Sequence, residues 1–121
     1  MSTQERVQQV LRTLVHNTPD LEAAALVSVD GLVLASVLPA GTDEDRVSAM
    51  AAALQALGER TLRELARGSL EQIYVKGSQG YVVLVQVGEE AVLEAIAGSG
   101  AKLGMVLLDM KRAAQECARL L

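Results

Sequence analysis

Residues 23–38 read AAALVSVDGLVLASVL, two aliphatic runs hinged on Asp30-Gly31. Asp-Gly between apolar runs is a strong hairpin signal, because a two-residue type I′ turn needs positive φ at both central positions. The pair predicts strands over 23–29 and 32–38, with Pro39-Ala40-Gly41 ending the second. The first strand carries almost no polar side chain, so both of its faces are expected to be covered. Covering both faces takes helices, and the flanking sequence supplies them.

Upstream, Val7, Val10, Leu11 and Leu14 fall at i, i+3, i+4 and i+7 and predict a helix over 4–16. Ser2 or Thr3 caps it, Glu5 suits the positive end of its dipole, and Asn17-Thr18-Pro19-Asp20 stops it. Downstream, Thr42 or Asp43 caps a long helix over about 43–67, with Glu44 and Asp45 in the first turn and Gly68 as its stop. Val47, Met50, Leu54, Leu57, Leu62 and Leu65 form one stripe, expected to dock on the sheet. Ala49, Ala52, Ala53 and Ala56 line a second surface whose small side chains let another backbone approach closely. A helix apolar on two sides is either sandwiched within its own domain or shared with a partner. So small a domain has few elements left to cover the second side, which favours dimerisation through the alanine face.

Three further strands are expected at 70–76, 81–87 and 91–97, joined by Gly77-Ser78-Gln79-Gly80 and Gly88-Glu89-Glu90. In the last of them Leu93 and Ile96 are apolar and Glu94 is read as facing outward. After Gly98-Ser99-Gly100, a helix over about 102–120 buries Leu103, Val106, Leu107, Met110, Ala114, Cys117, Ala118 and Leu121. The order is helix, two strands, helix, three strands, helix. It predicts one α/β (α+β) domain over 1–121: a five-stranded antiparallel sheet with the two terminal helices on one face and the long middle helix on the other.

Composition narrows the function. Half of the 121 residues are hydrophobic, but only Tyr74 and Tyr81 are aromatic, which leaves few flat faces for stacking bases or sugars. The net charge of −4, with basic residues dispersed, argues against nucleic acid. The lone Cys117 excludes an internal disulfide and fits a reducing compartment. With no signal-peptide pattern and no apolar run of membrane-spanning length, a cytoplasmic location and no membrane insertion are expected.

Catalysis needs nucleophiles, bases or metal ligands that converge. His16 and Cys117 sit near the ends of the terminal helices, and no third group orients the imidazole; a helix-end histidine and a core cysteine account for them. Four zinc ligands are lacking, and Asp43-Glu44-Asp45 is explained by helix capping. Gly98-Ser99-Gly100-Ala101-Lys102 precedes a helix but fails the P-loop spacing. No cofactor, metal or catalytic residue is assigned, and a non-enzymatic role follows. Arg46, Arg60, Arg63 and Arg67 lie along the middle helix; they read as solvated residues, some paired as Glu59–Arg63 and Glu64–Arg67, although an arginine supplied in trans stabilises phosphoryl transfer in a GTPase.

Taken together, these segments resemble the Roadblock/dynein-light-chain family. Residues 30–36 (DGLVLAS) are similar to its first hairpin, the Ala-rich stretch 45–57 to its dimer helix, 80–84 (GYVVL) to its central strand, and 101–105 (AKLGM) to the Leu-Gly step opening its last helix, with Lys102 where the family often has Asn. The resemblance implies a profilin/longin-like fold and a homodimer with a continuous sheet and paired middle helices. It also implies partnership with a small Ras-like GTPase: bacterial, MglB-like members stimulate GTP hydrolysis, while eukaryotic relatives act as dynein light chains or scaffolds. On this chain the implied contacts map to Gln55, Glu59, Arg60 and Arg63. Two other classes fit less well: a small-molecule sensor, disfavoured by the almost purely aliphatic strands, and an enzyme, disfavoured by the sparse nucleophiles.

Overall fold

The computed structural model describes residues 1–121, in the order α1 (Thr3–Asn17), β1 (Leu21–Ser28), β2 (Val33–Val37), α2 (Glu44–Glu64), β3 (Gln72–Gly77), β4 (Gly80–Val87), β5 (Ala91–Gly98) and α3 (Leu103–Leu120). The strands form one five-stranded sheet in the order β2-β1-β5-β4-β3. Every pairing is antiparallel. Each hairpin pairs locally, and β5 then turns back beside β1, so β5 is the central strand. Both of its neighbours hold it along its length, Ala25 and Leu84 flanking Glu94.

The two layers of helix are unequal. On one face α1 and α3 close over a core of 21 buried residues, among them Leu11, Leu26, Val83, Leu93, Val106, Met110 and Cys117. On the other face α2 rests on only five: Ala25, Val27, Ala51, Leu84 and Val92. The two-against-one helix arrangement matches the sequence reading. So does the doubly covered first strand, in which Ala23 through Val27 are all buried.

Local chemistry explains where the elements begin and end. Ser2 and Glu5 form a capping box, each side chain holding the other's backbone N–H at 3.1–3.2 Å. Asp43 Oδ1 accepts from Arg46 N–H at 3.2 Å at the start of α2. Lys102, at the head of α3, makes no side-chain cap. Gly80 (φ +147) lies so close to the Ala97 carbonyl that no side chain fits there.

Three local expectations are corrected. Within the first hairpin only Gly31 has positive φ (+91), so the turn is not type I′. Gly31 N–H donates to Ser28 O at 2.9 Å and Ser28 N–H to Leu32 O at 2.8 Å, making a longer loop closed by a left-handed glycine. α2 ends at Glu64, ahead of Gly68, because Ala66 turns left-handed (φ +54) and Arg67 N–H reaches back to Leu62 O at 2.8 Å. In α3, Ala118 and Leu121 are exposed, while Ala113 joins the buried stripe.

Candidate functional site

The long apolar residues of α2 do not form its seat. The face against the sheet is Ser48, Ala51 and Gln55, at i, i+3 and i+7, all buried. Gly58 extends it: a Cβ there would lie 2.9 Å from Ile73 Cδ1, so any larger residue makes the Ile73 side chain shift before this part of the helix settles. Of the stripe expected to dock, Val47, Leu54 and Leu62 are half-buried, whereas Met50 (55% exposed), Leu57 (64%) and Leu65 (63%) face away from the sheet. Small side chains permit a close approach that a row of Leu would block, so the narrower stripe went inward.

The alanine face is mostly outward. Ala49, Ala53 and Ala56 are exposed and, with Met50 and Leu57, make a continuous apolar surface along α2. Ala52 is half-buried and turned toward the first hairpin, its Cβ 3.8 Å from where a Cβ on Gly31 would stand. Contiguous apolar surface is a recurring feature of interaction sites.

Beside it runs β3, an edge strand paired on one side only, to β4. Tyr74 and Val75 are 42% and 45% exposed. Tyr74 packs edge-on against Tyr81, ring centroids 5.2 Å apart at 71°. A strand edge with free N–H and C=O groups is a template for another strand.

Of the contact candidates on α2, Gln55 lies beneath the helix rather than on its surface: it is 8% exposed, and its Nε2 donates to Gln86 Oε1 at 3.4 Å. Glu59 is half-buried, and Arg60 and Arg63 are exposed. The salt bridge formed is Arg60 Nε to Glu64 Oε1 at 3.2 Å, in place of the expected Glu59–Arg63 and Glu64–Arg67 pairs. It is largely exposed and contributes little.

The ionisable groups converge on no reaction centre. His16 is exposed, while Cys117 is wholly buried, and burial pushes its thiol up to about 11, with Glu116 adding to the shift. Such a thiol is no nucleophile at neutral pH. No three His, Cys, Asp or Glu side chains gather in a geometry to hold a metal. Between α1 and α3 runs an open groove of about 690 Å³, floored by Val10, Leu14 and Ala113 and rimmed by Arg6, Asp109, Arg112 and Glu116. Thr18 Oγ1 donates to Asp109 Oδ2 at 2.9 Å and ties the end of α1 to α3.

Sequence reasoning missed the polar seam under α2. Glu94 does not face outward: it lies on the α2 side of the central strand, 7% exposed, with Oε1 lacking a hydrogen-bond partner. Desolvation raises its carboxyl from 4.5 to about 7. No local signal marked it, because the central place of β5, which leaves it no outward face, exists only in the assembled sheet.

Comparison with known proteins fits this geometry. Residues 7–97 match the Roadblock/LC7 domain model. The protein MJ1340 of Methanocaldococcus jannaschii is 36% identical over 110 residues, covering 91% of this chain and 95% of its own length. A structure of MglB with a tetrameric arrangement is similar over 99% of this chain and 90% of that one, at a TM-score of 0.91 and 26% identity. Profilin II of Acanthamoeba castellanii shares the fold over 93% of this chain and 96% of its own, with TM-score 0.67 and 15% identity. No helix is long and apolar enough to cross a membrane.

Proposed function

The chain belongs to the Roadblock/LC7 domain family, and from that premise we propose that it is a non-enzymatic homodimeric regulator or scaffold that binds a small Ras-like GTPase. The observation carrying this reading is the outward face of α2, where Ala49, Met50, Ala53, Ala56 and Leu57 stand unpartnered. A second copy laid across this face buries it, and β3 alongside offers its free edge to the same partner. In a C2 pairing every contact is made twice, so a modest apolar strip yields a stable contact.

The GTPase then meets the rim of the paired helices. Glu59, Arg60 and Arg63 are the contact residues, while Gln55 serves to seat the helix. Of these, Arg63 is the one proposed to reach a phosphate, being exposed and without an ion pair, whereas Arg60 is already held by Glu64.

The test is capture from native extract on the immobilised protein, with a GTP analogue or with GDP, followed by a hydrolysis assay on any GTPase retained. Retention favouring the analogue, with faster hydrolysis that Arg63→Ala abolishes, supports a regulator. Retention regardless of nucleotide with unchanged hydrolysis supports a scaffold. If no GTPase is retained in either state, the reading fails. The α1–α3 groove favours a second reading, a small-molecule or adaptor module; strong thermal stabilisation by one compound of a metabolite panel would support it.

A further inference from the structure

The seat of α2 has a charge-bearing group at its centre. Glu94 occupies the middle of the middle strand, flanked laterally by Ala25 of β1 and Leu84 of β4, which belong to the small apolar cluster closed by Ala51 of α2. Gln86 of β4 and Gln55 of α2 are hydrogen-bonded to each other nearby, and Ser48 Oγ is used by Asp45 O at 3.1 Å. None of these supplies a partner to Glu94 Oε1.

No opposite charge faces it either. The sheet residues on this side are Ala23, Ala25 and Val27 of β1, Val92 and Ile96 of β5, and Val82, Leu84 and Gln86 of β4. From α2 come Ser48, Ala51, Ala52 and Gln55. The nearest ionisable side chains along this side of α2 are Asp45, a turn before Ser48 and exposed, and Glu59, a turn beyond Gln55 and half-buried. Both are acidic. A carboxyl so enclosed is tolerated neutral and resisted as an anion.

The element above it is the least firmly held of the three helices, resting on five buried apolar residues where α1 and α3 share 21. A local change of charge in the seat therefore acts on α2 before it acts on the rest of the fold.

We propose that Glu94 is a protonation-dependent latch beneath α2: with the carboxyl neutral the helix seats fully on the sheet, and with the carboxylate charged the seat loosens. Because the same helix carries the unpartnered apolar face, the latch regulates the dimer and partner surface; that consequence, though not the latch, rests on the function proposed above.

The sign follows from linkage. A carboxyl at about 7 when docked and 4.5 when hydrated binds its proton more tightly in the docked state. Docking is therefore strongest below 4.5, weakens as the pH rises through the interval between the two values, and levels off above about 7. Between pH 5 and pH 8 the docking equilibrium shifts on the order of fifty-fold toward the loosened form.

The test is amide hydrogen exchange of the full chain at pH 5 and pH 8, each rate divided by its intrinsic rate, with the Glu94 carboxyl followed by carbon-13 NMR. In the wild type, α2 amides are expected to lose tens-fold of protection at the higher pH while α1 and α3 amides change little. Glu94→Gln, isosteric and uncharged, should hold its protection at both. Equal α2 protection at the two pH values, or a Glu94 midpoint below 5.5, overturns the latch. Sedimentation at both pH values separates the two readings: pH-dependent α2 exchange in a chain that never dimerises supports the latch and rejects the dimer.

Discussion

Leu57→Ala offers a sharp test of the α2 surface, because its cost falls on association and spares the protomer. Leu57 is 64% exposed in the single chain, so truncating it removes little that the fold itself uses. Leu and Ala are both good helix formers, and the protomer should change by less than about 0.5 kcal/mol. In the proposed dimer the side chain is covered. The substitution deletes three carbons at about 0.8 kcal/mol each when fully buried, and scaling by the 64% newly covered leaves about 1.5 kcal/mol per protomer. Two-fold symmetry doubles this to about 3 kcal/mol, a dimer dissociation constant weakened about 150-fold. Sedimentation equilibrium over a wide concentration range measures it, with thermal unfolding as the check on the protomer. Leu108→Ala is the control: Leu108 is 50% exposed but lies on α3, in the opposite layer, and should leave association unchanged. A dissociation constant for Leu57→Ala within threefold of the wild type, or equal weakening by Leu108→Ala, would refute the assignment of the interface to α2.

Other outcomes follow from the same geometry. Ala53→Arg should convert the dimer to a folded monomer by light scattering, since Ala53 is already exposed in the protomer; an ordinary dimer would exclude the alanine face as the contact. Ala66→Gly should raise stability by about 1 kcal/mol, several degrees in Tm, because Ala66 bears a left-handed φ of +54 that glycine adopts without strain. No gain in Tm would show that the αL cap is not populated. Cys117, wholly buried and with its thiol raised to about 11, should resist a thiol reagent at pH 8 until the chain unfolds, and Cys117→Ser should destabilise by about 1–3 kcal/mol; rapid labelling of the native protein would contradict the packing of α3.

Periodicity and punctuation are local, and what they govern was legible in the chain itself. The three helices and the five strands follow from stripes at i, i+3, i+4 and i+7 and from turn residues such as Asp30-Gly31 and Gly77 to Gly80, and the placing of α1 and α3 on one face from the order of those elements. The absence of aromatic platforms and the scatter of nucleophiles follow from composition, and the family likeness rests on the joint order of several weak segments. Which stripe of α2 faces inward was a different matter. Val47, Met50, Leu54, Leu57 and the alanine face are both apolar, so hydrophobicity does not rank them. Ser48, Ala51 and Gly58 won because a helix crossing a twisted sheet at close range needs small side chains at the crossing, a requirement that exists only once the sheet exists. For the same reason Glu94 and Gln55 passed as surface residues in the sequence, alternating with apolar neighbours. Only the return of β5 between β1 and β4, with α2 laid over it, removed water from that side and turned an ordinary carboxylate into a buried one.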